Sequence, residues 1–170
     1  MVNRYTTITT KQKTMATNEN LAEVLNDLII INNDRVEGYE KAMTETEEKD
    51  VDLRTIFSKM ADESRKYKTE LAAEVVRLGE EVAEGTTNRG KIYRVWMDVK
   101  ATFASNERQS VLEACEFGED AAQRAYRDAL SSDAEIDAET RQLITSQKES
   151  LKTSHDTVKK LRDAHKALNS

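Results

Sequence analysis

"EEVAEGTTNRGKIYRVWMDVKATFAS", residues 80–105, is the stretch on which the fold turns. Within it, "GTTNRG" at 85–90 is the clearest helix breaker in the chain. After the breaker, Ile92, Val95, Trp96, Val99 and Phe103 recur at helical spacing, a short amphipathic pattern. The whole segment is too long for a tight helical hairpin and long enough to travel the length of a bundle. On each side of it lie two long helical patterns whose own joins are short, and short joins make antiparallel neighbours. The spacing predicts an all-α fold: four helices in two antiparallel hairpins, linked by one long crossover at about 80–105 that carries a short helix. A five-helix bundle without this topology is the alternative.

Composition agrees with long helices. The chain has 170 residues, 5 glycines and no proline, and proline is the residue that helix interiors exclude, because it lacks the N–H and clashes with the preceding turn. Hydrophobic residues at 38% and charged residues at 34% suit amphipathic helices around one core. The net charge of −6 argues against nucleic acid as the main partner, since phosphate binders carry a basic face. Cys115 is the single cysteine, so no intrachain disulfide can form, which fits a reducing compartment. The longest apolar run, Leu28 to Ile31, cannot span a bilayer. The N-terminal stretch has no apolar core of signal-peptide length. The cytoplasm is the expected location. Residues 1–17 read as a polar, flexible tail made basic by Arg4, Lys11 and Lys13, with Met15 as an alternative start, and residues 18–170 as the bundle.

The first helical pattern begins near Asn18, capped by Thr17 or Asn18, and runs to about Thr46 through Leu21, Leu25, Leu28, Val36, Tyr39 and Met43. The second follows Asp50 or Asp52 and carries Leu53, Phe57, Met60, Tyr67, Leu71 and Val75, with Gly79 as its stop. Another starts after Ser105 or Asn106 with Val111, Leu112, Cys115, Ala122, Tyr126 and Leu130. Asp137 caps the last, which reaches about Ala167 through Ile144, Leu151, His155, Val158 and Leu161. Trp96 is expected to pin the crossover helix to the bundle.

Advancing ~100° per residue places several polar side chains on the apolar faces. Asn32, Arg35, Glu63, Glu119 and His155 each fall near the midpoint of their own helix, with Glu63 at the edge of its face. Antiparallel helices of similar length bring those midpoints to one level, so a polar layer is predicted at half height. Buried charges must be paired, neutral or metal-bound. Two readings follow. In the first the layer is structural, with Arg35 pairing Glu119 or Glu63 and His155 hydrogen-bonded nearby. In the second Glu63, Glu119 and His155 hold one divalent ion: iron, manganese or zinc. A two-metal centre wants one Glu from each of two helices and a Glu-x-x-His pair from each of the others. The second helix has Lys66 where the histidine would stand, the last has Lys152 where the glutamate would stand, and Arg35 would repel a cation. Cys115 reads as a core residue without an adjacent base, His165 as a cation near a helix C-terminus, and Gly38 and Gly118 as sites of close helix approach. No catalytic residue and no phosphate-cradling loop is evident.

"VLNDLI" (24–29), "EGYEKA" (37–42), "VWMDVKATF" (95–103), "VLEACEFGEDAAQRAYRDAL" (111–130) and "SHDTVKKLRDA" (154–164) together resemble a bacterial family of ferritin-like four-helix-bundle proteins catalogued as a domain of unknown function. "GEDAAQRAY" and "VWMDVK" are its most specific pieces. The resemblance implies the ferritin-like fold and no established reaction. Glu119 and His155 match positions typical of the family, whereas Asn32 and Arg35 depart from smaller or more apolar residues there. The expectation is a non-enzymatic, stress-related, self-associating bundle with no cofactor and no small-molecule substrate identifiable. The alternative is a metal-binding ferritin relative with a reduced ligand set.

Overall fold

The computed structural model describes residues 4–85 and 108–170; the expected crossover helix and Trp96 lie outside the described residues. The described residues form four long helices: α1 (Arg4–Glu45), α2 (Val51–Arg77), α3 (Arg108–Leu130) and α4 (Ala138–Leu168). α1 packs along α2, α3 along α4, and α1 along α3, while α2 and α4 touch more sparsely and close the bundle. The all-α four-helix prediction is borne out.

The ends of α2 and α4 are set by local chemistry. α2 stops in a Schellman motif: Gly79 takes φ +77°, its N–H donates to Val76 O at 2.9 Å, and Glu80 N–H donates to Val75 O at 3.2 Å. Residues 80–84 are not helical. α4 starts at Asp137, whose carboxylate accepts from Thr140 N–H at 2.9 Å. That bond holds the Asp137 carboxyl below its ordinary range. Asp50 precedes α2 without making such a side-chain bond.

The start of α1 differs from the sequence expectation. The helix begins at Arg4, not near Asn18. Thr17 is not a cap: its hydroxyl donates back to Lys13 O at 2.9 Å, inside the helix. Core packing nevertheless begins only at Leu21, and residues 9–16 are exposed. α1 is also buried on more than one face. Ala22, Leu28, Ile31, Asp34 and Arg35 span roughly 240° of its circumference at ~100° per residue.

Two hydrophobic clusters fill the bundle. Towards the α1–α2 turn, Tyr39, Leu53, Phe57, Val111, Leu112, Cys115 and Val158 pack together. Towards the opposite end, Leu21, Leu25, Leu28, Leu71, Val75, Tyr126, Ile144 and Leu151 do so. Each fully buried Leu or Phe contributes about 1.5–3 kcal/mol. The two clusters are separate, and polar side chains lie between them.

Candidate functional site

The separating layer draws a buried polar side chain from every one of the four helices. α1 supplies Asn32, Arg35 and Tyr39, α2 Ser64, α3 Glu119 and Tyr126, and α4 Gln147; the relative exposure of each is 2% or less. Arg35 Nη2 donates to Glu119 Oε1 at 2.5 Å, and Arg35 Nη1 donates to Ser64 Oγ. The Tyr39 hydroxyl donates to the same Glu119 oxygen. The Arg35 guanidinium also lies 5.3 Å from the centre of the Tyr39 ring, within cation–π range.

A second chain of bonds meets the layer from α2. Gln147 Nε2 donates to Glu70 at 2.9 Å, the Tyr126 hydroxyl donates to Gln147 Oε1 at 2.7 Å, and Asn32 Nδ2 donates to the Tyr126 oxygen at 2.8 Å. All four helices are thereby tied at one level.

Burial and charge set the protonation states. For Arg35, burial is the largest single influence and opposes the charged form, but the Glu119 charge and hydrogen bond together with Tyr39 and Tyr126 more than offset it, and the guanidinium is held protonated. Burial, then the Glu119 charge, pushes the Tyr39 hydroxyl and the Cys115 thiol well above their ordinary values. Burial raises Tyr126 as well. These groups stay neutral near pH 7, so Cys115 is no thiolate nucleophile.

The sequence-derived metal candidates are not brought together. Glu119 is occupied by Arg35 and Tyr39. Glu63 is half-buried at the edge and accepts from Ser154 Oγ at 3.2 Å. His155 stands outside the layer, with Nε2 2.8 Å from Asp120 Oδ1 and Nδ1 3.1 Å from Asp156 Oδ1. The reason is angular: the buried arc of α4 runs through Ile144, Gln147, Leu151, Ser154 and Val158, which turns Ser154 inward and leaves His155 on the flank. Among the described residues no group of three or more His, Cys, Asp and Glu could hold a metal ion.

Sequence reasoning missed Ser154, Asp120 and the buried Asp34. The signal for Ser154 was the i, i+3 step from Leu151; Asp34 lay hidden because α1 buries more than one face. His165 sits at the far end of α4, 3.2 Å from Gln109 Oε1.

Comparisons with known proteins agree with this architecture. A family model described as domain of unknown function (DUF2383) matches residues 20–132. No curated protein matches the chain. A solved structure of a Mycobacterium smegmatis Dps1 mutant superposes with a TM-score of 0.72 at 13% sequence identity, over 86% of this chain and 97% of that one. This likeness shows the fold, a ferritin-like four-helix bundle. Ferritin-like di-metal centres draw on a Glu from each of two helices and a Glu-x-x-His pair from each of the others. The residues here do not fit such a centre: a fixed guanidinium is bonded to the central carboxylate, and the nearest imidazole faces outward onto Asp120. Among the described residues no helix is long and apolar enough to cross a membrane.

Proposed function

The chain belongs to the DUF2383 family, and we propose that it is a non-enzymatic, self-associating helical-bundle protein whose mid-height polar layer is structural. The observation that carries this reading is Arg35, fully buried between the helices with its charge placed on Glu119. A divalent ion entering there would have to displace a cation that cannot deprotonate. Such a layer fixes the register of α1 against α3, because sliding either by one turn would strand a buried charge. Asn32, Arg35 and Glu119 are its centre in this reading, Glu63 lies at its rim, and His155 serves a flank pair.

Self-association is supported by α1. Residues 9–16 extend past the core as an exposed stretch of helix that includes Lys11, Lys13 and Met15, the last 62% exposed. A helix of that length is marginal in water without a packing surface. A second, acidic copy of the chain offers one.

Elemental analysis of protein purified without chelator tests the first part. The expected result is less than ~0.1 equivalent of iron, manganese or zinc, with thermal stability unchanged on adding any of them. One tightly held equivalent that is lost in Glu119→Gln would overturn it. Light scattering behind gel filtration tests the second: a monomer at high concentration removes self-association.

A further inference from the structure

We propose that one buried water molecule joins the two halves of the polar layer, bound by Asn32 Oδ1, Arg35 Nε and Glu119 Oε2. The inference deepens the structural reading of the layer and rests on it.

The hydrogen-bond ledger leads to it. Asn32 Nδ2 gives its two hydrogens to Leu28 O at 2.9 Å and to the Tyr126 oxygen, which leaves Oδ1. Arg35 uses Nη1 on Ser64 and Nη2 on Glu119 Oε1, which leaves the Nε–H. Glu119 Oε1 accepts twice, which leaves Oε2. These three side-chain atoms are buried and have no hydrogen-bond partner among the described residues. All three residues are fully buried. Asn32 and Arg35 stand three residues apart on one face of α1, and Arg35 is bonded to Glu119, so the three side chains are neighbours.

Their chemistry selects the ligand. Two atoms are acceptors and one is a donor. Direct bonding cannot satisfy them all, because the single Nε–H has two acceptors to serve and the acceptors cannot bond each other. A metal ion or an ammonium has no lone pair for the Nε–H. A monatomic anion has no hydrogen for Oδ1 or Oε2, and any anion would meet the charge of the Glu119 carboxylate. A water accepts one bond and donates two, which matches the set, and buried waters typically make about three such bonds. With it in place, the Glu70–Gln147–Tyr126–Asn32 chain and the Arg35–Glu119–Tyr39–Ser64 cluster become one network through all four helices.

A crystal structure of the wild-type chain, at a resolution that orders internal waters, tests the proposal. The expected result is one peak about 2.7–3.2 Å from each of the three atoms. A bidentate fork, with Nε–H directly on Glu119 Oε2, overturns the water and leaves the structural layer standing. An anomalous scatterer on Glu119 overturns both. In solution, oxygen-17 relaxation dispersion on the same protein is expected to detect a long-lived water, and a profile with none overturns the proposal.

Discussion

Glu119 and Asp120 are neighbours on α3, and each pairs with a basic residue on another helix. Their surroundings differ completely. The Glu119 side chain is 0% exposed and meets Arg35, itself 1% exposed. The Asp120 side chain is 56% exposed and meets His155 at the rim. One residue is a ~100° step around the helix, enough to carry a carboxylate from the core to water. In the core the charges are desolvated, so each depends on the other; at the rim, water screens both. The contrast explains why two acid–base pairs of similar chemistry are expected to differ severalfold in importance to the fold.

The largest expected effect comes from breaking the inner pair. Glu119→Gln leaves the Arg35 charge buried without its counterpart and should cost about 3–5 kcal/mol in urea-unfolding stability. Replacing both partners, Arg35→Met with Glu119→Leu, should recover most of that loss, because neither charge of the pair then remains buried. A double variant as unstable as the single one would show that the layer is held by something other than this pair.

The next effect is a pH dependence. Cys115 has a folded pKa raised above its ordinary 9.0 by burial and by Glu119. Its neutral form is therefore favoured in the folded state. That contribution is fully present below pH 9 and declines as pH rises, because the unfolded thiol ionises first. The decline is about 1.4 kcal/mol per pH unit once the unfolded thiol is ionised. Stability measured between pH 9 and 10 should fall less steeply in Cys115→Ala than in the wild type. Parallel slopes would mean that Cys115 is not held neutral.

Asp137→Ala removes the α4 cap and should cost about 1 kcal/mol. The Asp137 carboxyl is held low by the Thr140 N–H, so this contribution is present above its unfolded pKa and is lost as pH falls through the folded one. A wild type and an Asp137→Ala variant that converge in strong acid would match that sign. The smallest effect belongs to the outer pair. Asp120→Asn should change stability by less than about 1 kcal/mol, and the change should shrink further in high salt. A loss as large as that of Glu119→Gln would abolish the contrast between core and rim.

Much of this was readable from spacing. The helical steps through Leu28, Asn32, Arg35 and Tyr39 turn all four to one side, and Cys115, Glu119, Ala122 and Tyr126 do the same on α3. The α4 cap at Asp137 and the α2 stop at Gly79 were legible because each rests on a local bond or a local φ. Two features were not. Thr17 can bond an N–H ahead of it or a carbonyl behind it, so its identity does not distinguish a cap from a helix interior; in the structure it bonds back to Lys13. Ser154 and His155 straddle the apolar centre line of α4, so angular spacing, which puts the histidine beside Leu151, does not decide which of the two turns inward.

Periodicity and the absence of proline determined by themselves that the chain forms long amphipathic helices with inward polar residues near their midpoints, because those properties act within a few residues of chain. Which polar groups meet was decided only by tertiary packing. Arg35 reaches Glu119 across 84 positions, His155 turns to Asp120, and Ser154 faces Glu63. Such choices depend on helix rotations of a few tens of degrees, which are set by how neighbouring helices interlock.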